Sequence, residues 1–60
     1  MNKFIEVTIL RSNEPFKIAI NVDTIVVVMP CANEGTTITL LQGSVTCKES
    51  YREIMQLILS

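Results

Sequence analysis

The chain has 60 residues, of which 48% are apolar, a rich proportion for a domain that can hold only one small core. Its five basic and six acidic residues give a formal net charge of −1, and no basic stripe is present to neutralise the phosphates of a nucleic acid. Histidine, the commonest general base and metal ligand, is absent. We therefore expect a single domain over residues 1–60 that is not an enzyme and has no catalytic residues, metal ligands or cofactor.

The first third of the chain predicts a β-hairpin. Apolar side chains alternate with others from Lys3 to Leu10, which is typical of a half-buried strand. Residues 11–15 are turn formers ending in Pro15, which cannot donate to a strand ladder, so we expect the chain to reverse there. The alternation then resumes over residues 16–20.

Residues 18–30 contain two apolar runs separated by a short polar step, and the rest of the chain is organised around them. Asn21 and Asp23 can each bond nearby backbone amides, which predicts a corner without a glycine. Residues 25–29 are all apolar and mostly β-branched, which favours a central strand covered on both faces and ending at Pro30.

A second pair of strands follows a loop over residues 31–35, whose Asn33 and Gly35 tolerate positive φ. The sequence predicts a strand over residues 36–41, a tight hairpin turn at Gln42 and Gly43, and a short last strand over residues 44–47.

The last segment changes to a helical period. Ser50 followed by Glu53 forms a capping box, which predicts a helix beginning at Tyr51. A helix of about ten residues is marginal alone in water and requires packing on the sheet. We therefore predict an α+β fold: a small antiparallel sheet of four to five strands with one C-terminal helix packed on one face.

When each residue is assigned to a face of the predicted sheet or helix by these periods, several apolar residues remain outside the predicted core. The positions predicted to face the core are Ile5, Val7, Ile9, Phe16, Ile18, Ile20, Val22, Ile25, Val27, Met29, Ile38, Leu40, Val45, Cys47, Tyr51, Ile54, Met55, Leu57 and Ile58. The opposite face of the predicted sheet, called the second face below, contains the apolar residues Phe4, Leu10, Ala19, Val26, Val28 and Leu41. Because a large contiguous apolar patch is uncommon on a monomer, we expect these six residues to form an interface with another copy or another protein.

Potential reactive groups have simpler structural explanations. Cys31 and Cys47 are not spaced as metal ligands, and two reduced thiols are typical of a cytoplasmic protein. Cys47 lies near a helix start, which can lower a thiol pKa, but it is predicted to face the core and has no histidine partner. Asn21 and Asp23 supply too few oxygens for calcium. No apolar run approaches the length needed to span a bilayer, and no signal-peptide pattern is present, so we expect a cytoplasmic protein without membrane contact.

The order of these motifs resembles the small FlbD-like proteins encoded with flagellar genes of bacteria. The resemblance rests on an opening strand, a polar corner, a threonine-rich strand followed by glycine, and a helix start, with matching residues Ile5, Val7, Thr8, Leu10, Asn21, Asp23, Ile25, Thr37, Thr39, Leu40, Gly43, Lys48, Glu49, Ser50 and Glu53. It implies the fold above and carries no defined biochemical activity. The layout is also similar, over fewer features, to the β-rich half of LytTR-type DNA-binding domains.

Two functions remain open at this stage. The first is a cytoplasmic, non-enzymatic interaction module that forms a homo-oligomer or binds another protein through the second sheet face or an edge strand. The alternative is a LytTR-like regulatory protein that binds nucleic acid. The acidic balance and the low aromatic content, 5% of residues, disfavour the alternative.

Overall fold

A computed structural model of the chain describes residues 3–60. Five strands and one helix follow in the order β1 (Phe4–Arg11), β2 (Glu14–Asn21), β3 (Ile25–Pro30), β4 (Thr36–Leu40), β5 (Gly43–Cys47) and α1 (Tyr51–Leu59). The corner between β2 and β3 is a short 3₁₀ helix, Val22–Thr24, capped by the Asn21 side chain on the amide of Asp23. The predicted α+β class and C-terminal helix are confirmed.

The strands form two antiparallel sheets, so the prediction of a single sheet of four to five strands is wrong. β1 and β2 make a two-stranded sheet, while β3, β4 and β5 make a three-stranded sheet in that order. The sheets meet where the Lys48 N–H, just after β5, donates to the Thr8 carbonyl of β1 at 2.8 Å. One such backbone bond joins the edges without making a continuous ladder.

The first hairpin reverses within the predicted residues 11–15, before Pro15. Ser12 and Asn13 form a two-residue turn with φ values of 52° and 66°, the left-handed pair that matches the twist of a hairpin. Pro15 instead lies inside β2 opposite Leu10. It is tolerated because its missing N–H would point away from β1, toward the free side of the strand.

β3 is an edge strand with an exposed face, so the prediction of a central strand covered on both faces is wrong. It also contains a bulge that reverses the predicted faces of its last residues. Ile25 pairs with Leu40 and Val27 with Thr39, so Val26 is an extra residue. After it, Val28 packs against the core, while Val27 and Met29 are exposed. The predicted inward positions of Val27 and Met29, and the predicted outward position of Val28, are therefore exchanged.

The core lies between the inner faces of the two sheets and one side of α1. Its buried apolar side chains are Ile5, Val7, Ile20, Ile38, Cys47 and Ile54, all predicted to face inward. Seven more predicted core residues pack against this cluster half-buried: Ile9, Ile18, Val22, Ile25, Leu40, Val45 and Ile58. Phe16, Tyr51 and Leu57, also predicted inward, are exposed, and Met55 is half-buried.

Helix α1 begins with the predicted capping box. The Ser50 hydroxyl accepts from the Glu53 amide, and the Glu53 carboxylate accepts from the Ser50 amide. The helix runs back along β1, because Glu49, just before the helix, bonds Thr8, and the Lys3 ammonium donates to the Ile58 carbonyl at 2.8 Å. It thus covers the part of the β1 edge that β5 does not reach.

Two further connections are tight. The second hairpin turns at Leu41 and Gln42, one residue earlier than predicted, and the Leu41 amide donates to the Thr24 carbonyl at 3.0 Å. The loop before β4 closes through the Cys31 N–H on the Gly35 carbonyl at 3.1 Å. No helix among residues 3–60 has the length and apolar character needed to cross a membrane.

Candidate functional site

The six predicted interface residues do not form one continuous face. Phe4, Leu10 and Ala19 lie on the outer face of the β1–β2 hairpin and are exposed. Val26 is exposed at the bulge, and Leu41, 73% exposed, occupies the turn between β4 and β5. The sixth residue, Val28, packs on the core instead.

The outer face of the three-stranded sheet is less apolar than the sequence predicts. Thr37 and Thr46 face each other across β4 and β5, with their hydroxyl oxygens 3.5 Å apart, and Thr39 faces Ser44 in the next row. The apolar contribution to this face comes from Val27 and Met29 on β3. This sheet therefore presents hydroxyls in its middle and apolar side chains only at its β3 edge.

Several large exposed side chains were assigned to the core by their periodicity. Phe16 is 48% exposed because it lies near the tip of the hairpin, beyond the part of β2 that the core covers. Tyr51 lies at the start of the helix on its open side, next to Met55; Leu59, which was not assigned to the core, lies at the other end of the same side. No signal in the apolar run of β3 marks the exposure of Val27, since one extra residue in such a run shifts the faces without changing composition.

Thr8 and Glu49 form the polar joint between the two sheets. The Glu49 carboxylate accepts from the Thr8 amide at 2.8 Å and from its hydroxyl at 2.9 Å, using a different oxygen for each. Burial favours the neutral acid, but these two hydrogen bonds, with the nearby Lys17 charge, outweigh it and hold the pKa of Glu49 below its usual range. The Glu49 side chain therefore stays ionised at neutral pH. Its carboxylate accepts from the Thr8 amide, where a neighbouring strand would supply a backbone carbonyl.

A hydrogen bond from Thr36 to the Glu49 backbone also stabilises this joint. Thr36 is fully buried, and its hydroxyl donates to the Glu49 carbonyl at 2.7 Å. Because an unpaired buried hydroxyl costs free energy, this bond explains how a polar residue lies beside Ile38 in the core.

A groove lies between the outer face of the hairpin and α1. Its charged lining residues are Glu6, Lys17, Glu49 and Glu53, and Gln56, Leu57 and Ser60 complete it. Three carboxylates thus surround one ammonium. Glu49 and Glu53 already accept hydrogen bonds from backbone amides, so both carboxylates have structural partners within a polar, acidic groove.

Both cysteine side chains pack against other parts of the fold. Cys47 is buried, and its thiol donates to the Thr36 carbonyl with the two atoms 3.4 Å apart. Burial, together with the nearby negative charge of Glu49, raises the pKa of Cys47, so its unreactive protonated form prevails. Cys31 is free and half-buried, with its sulfur 3.4 Å from the Thr37 hydroxyl.

Metal ligands are not clustered in the described part of the chain. Within residues 3–60, no group of three or more cysteine, aspartate or glutamate side chains is arranged to hold a metal ion. At the corner, the Asn21 side chain accepts from the Asp23 amide, as the turn interpretation predicts.

Comparison of the chain with protein-family models, with curated proteins and with solved structures finds no match in any of the three.

Proposed function

We propose that the protein is a non-enzymatic, cytoplasmic interaction module that associates with a second copy of itself. The observation that carries this proposal is the amount of surface that one chain leaves exposed. Support for the cytoplasm comes from the free state of Cys31 and Cys47, which is typical of a reducing compartment.

The surface of the chain exceeds that of a compact monomer. One chain exposes 4512 Å², whereas a folded monomer of 6.7 kDa exposes about 3,900 Å² according to the scaling of surface with mass. The surplus is about 600 Å² per chain, comparable to the roughly 800 Å² that each partner buries in a standard interface. Pairing of two copies would remove a surplus of this size.

The exposed surface is also apolar in several places. Ten large apolar or aromatic side chains are exposed among the described residues: Phe4, Leu10, Phe16, Val26, Val27, Met29, Leu41, Tyr51, Leu57 and Leu59. Because these side chains are 37–77% exposed, burying one contributes a corresponding part of the roughly 1.5–3 kcal/mol that full burial of an exposed side chain gives. Several of them covered together would offset the roughly 4–15 kcal/mol that association costs.

The chemistry of the charged groups supports an interaction role over the alternatives. Lys3 donates to the end of α1, and Lys17 lies among carboxylates, so neither contributes to a basic surface for phosphates. The pKa of Cys47 is raised by burial, which disfavours a thiolate nucleophile.

Sedimentation equilibrium from micromolar to millimolar concentration tests the proposal. We expect the apparent mass to rise from 6.7 kDa toward twice that value as concentration increases. A mass of 6.7 kDa at every concentration would overturn self-association. Titration of labelled mixed-sequence DNA at low salt provides the second arm, and salt-dependent binding there would favour the nucleic-acid function instead.

A further inference from the structure

We propose that two copies associate by pairing their β2 strands. The strands lie antiparallel about a two-fold axis at Ile18 and create one four-stranded sheet in the order β1-β2-β2-β1. The inference rests on the self-association proposed above and identifies the surface that mediates it.

The backbone of β2 has a free side that can accept another strand. Thr8 directs both its N–H and its carbonyl away from β2, toward Glu49 and Lys48. In an antiparallel ladder the residue opposite, Lys17, must then direct its own groups away from β1, as must Ala19 two residues further along. Since β2 pairs only with β1 among the described strands, these groups lie along an open edge.

An axis at Ile18 matches donors to acceptors along this edge. It places Lys17 opposite Ala19 of the second copy, and these two residues can exchange both backbone bonds. It also places Asn21 opposite Pro15. Pro15 has no N–H to donate, and the Asn21 carbonyl that would receive it already accepts from the Thr24 hydroxyl at 2.8 Å.

Neighbouring registers fit less well. An axis at Lys17 would place two ammonium groups directly opposite each other, which is unfavourable. An axis at Ala19 would direct the Lys17 N–H at the Asn21 carbonyl, which already accepts from Thr24, and would align only residues 17–21 of the two strands instead of residues 15–21. The axis at Ile18 avoids both conflicts.

The charges on the outer face are complementary in this arrangement. Along one row of the joined sheet, Glu6 and Ala19 of one copy are followed by Lys17 of the other. The small Ala19 side chain leaves room for that lysine to extend toward Glu6. The groove beside Glu6 contains three carboxylates and one lysine, so a second ammonium reduces its excess of negative charge.

Pairing also buries exposed apolar surface on the inner face of the β1–β2 hairpin. Phe16, 48% exposed in one chain, comes to lie opposite Ile20 of the second copy. The two Ile18 side chains meet at the axis, where each is half-buried in the single chain. The apolar face of the hairpin thus continues across the interface.

The edge formed by β3 is protected against pairing. Val26 forms a bulge near one end of the strand, and Pro30 lacks an N–H at the other. A bulge is a usual device that prevents a sheet edge from joining another, and β2, although it also contains a proline, Pro15, has no bulge. β2 is longer than β3 and keeps a regular register from Glu14 to Asn21.

Charge variants provide the first experiment, with dissociation constants measured by sedimentation. Ala19→Lys places an ammonium opposite Lys17 of the second copy, and we expect the dimer to weaken at least about tenfold, equivalent to 1.4 kcal/mol. Gln42→Lys adds the same charge at an exposed turn away from β2 and should leave the dimer unchanged. Lys17→Glu should weaken the dimer, and Glu6→Lys combined with Lys17→Glu should restore it.

A distance measurement provides the second experiment. The labelled variant leaves the proposed pairing residues Lys17, Ile18 and Ala19 unchanged. The variant Glu14→Cys, with Cys31→Ser to remove the accessible thiol, is spin-labelled while Cys47 stays buried. An axis at Ile18 separates the two Glu14 positions by eight residues along the strands, which predicts about 27 Å between their Cα atoms from strand geometry.

The outcomes separate the two proposals. A dimer with the expected distance and the expected charge effects supports pairing through β2. A dimer that tolerates Ala19→Lys, or whose labels lie at a different distance, overturns pairing through β2 while self-association stands. A wild-type protein that remains monomeric overturns both.

Discussion

Replacing Gly35 by alanine tests how the loop before β4 is held against the end of β5. Gly35 is buried and has a φ of +93°, a conformation that L-residues rarely adopt. A Cβ atom added there would lie 2.5 Å from the carbonyl oxygen of Cys47. That oxygen belongs to backbone paired with Thr36, so it cannot move aside as a flexible side chain would.

The expected cost has two parts. The left-handed backbone costs about 1–2 kcal/mol for a residue with a Cβ. The close contact adds about 1–3 kcal/mol, as overpacking does elsewhere. We therefore expect Gly35→Ala to lower the free energy of unfolding by about 3 kcal/mol, a large share of the roughly 3–9 kcal/mol typical of a domain this size.

Urea and thermal unfolding followed by circular dichroism provide the assay. A loss of about 3 kcal/mol predicts a Tm roughly 12–24 °C lower. Gly43→Ala is the matched control, because Gly43 also has a positive φ, +153°, but its added Cβ meets no atom within 4 Å. If Gly35→Ala costs no more than Gly43→Ala, the contact with Cys47 contributes nothing and the reasoning is wrong.

Two further predictions concern the joint and the first turn. Because the pKa of Glu49 is lower in the folded chain than its unfolded value of about 4.3, its stabilising effect is present above that pH and is lost as pH falls through the folded pKa. We expect unfolding experiments from pH 6 down to about pH 3 to show a smaller decline for Glu49→Gln than for wild type, and Glu34→Gln, at an exposed loop, to retain the wild-type slope. Ser12→Asn should raise the free energy of unfolding by about 0.5 kcal/mol, since asparagine tolerates the positive φ of this position better than serine. Ser12→Val, measured by the same urea titration, should lower it, and equal stabilities for the two variants would contradict the turn geometry.

Local chemistry was sufficient to predict much of the fold. The capping box of Ser50 and Glu53 placed the helix start at Tyr51, because both partners lie within one turn of the chain. The alternation in β1 placed Ile5 and Val7 in the core for the same reason. Features that depend on neighbouring residues alone are accessible from sequence.

Features that depend on distant residues were not predicted. The bulge at Val26 arises from the register between β3 and β4, and nothing in an apolar run marks which residue is extra. The bonds from Thr8 to Glu49 join positions 41 apart, and each residue alone is an ordinary polar side chain. The division into two sheets depends on which strands pair, and no local pattern in the sequence marks that choice.

The joint of Thr8 with Glu49, together with the adjacent bond from Lys48 to Thr8, also has a consequence for the order of folding. Each hairpin has its partners close in sequence and can form in about 1–10 μs. The joint and the adjacent bond must instead bring together residues 41 and 40 positions apart, and the bond from Lys3 to Ile58 spans 55. Closing such long loops costs chain entropy before any contact compensates, so we expect docking of the preformed hairpins, rather than formation of either one, to limit the rate at which the native chain appears.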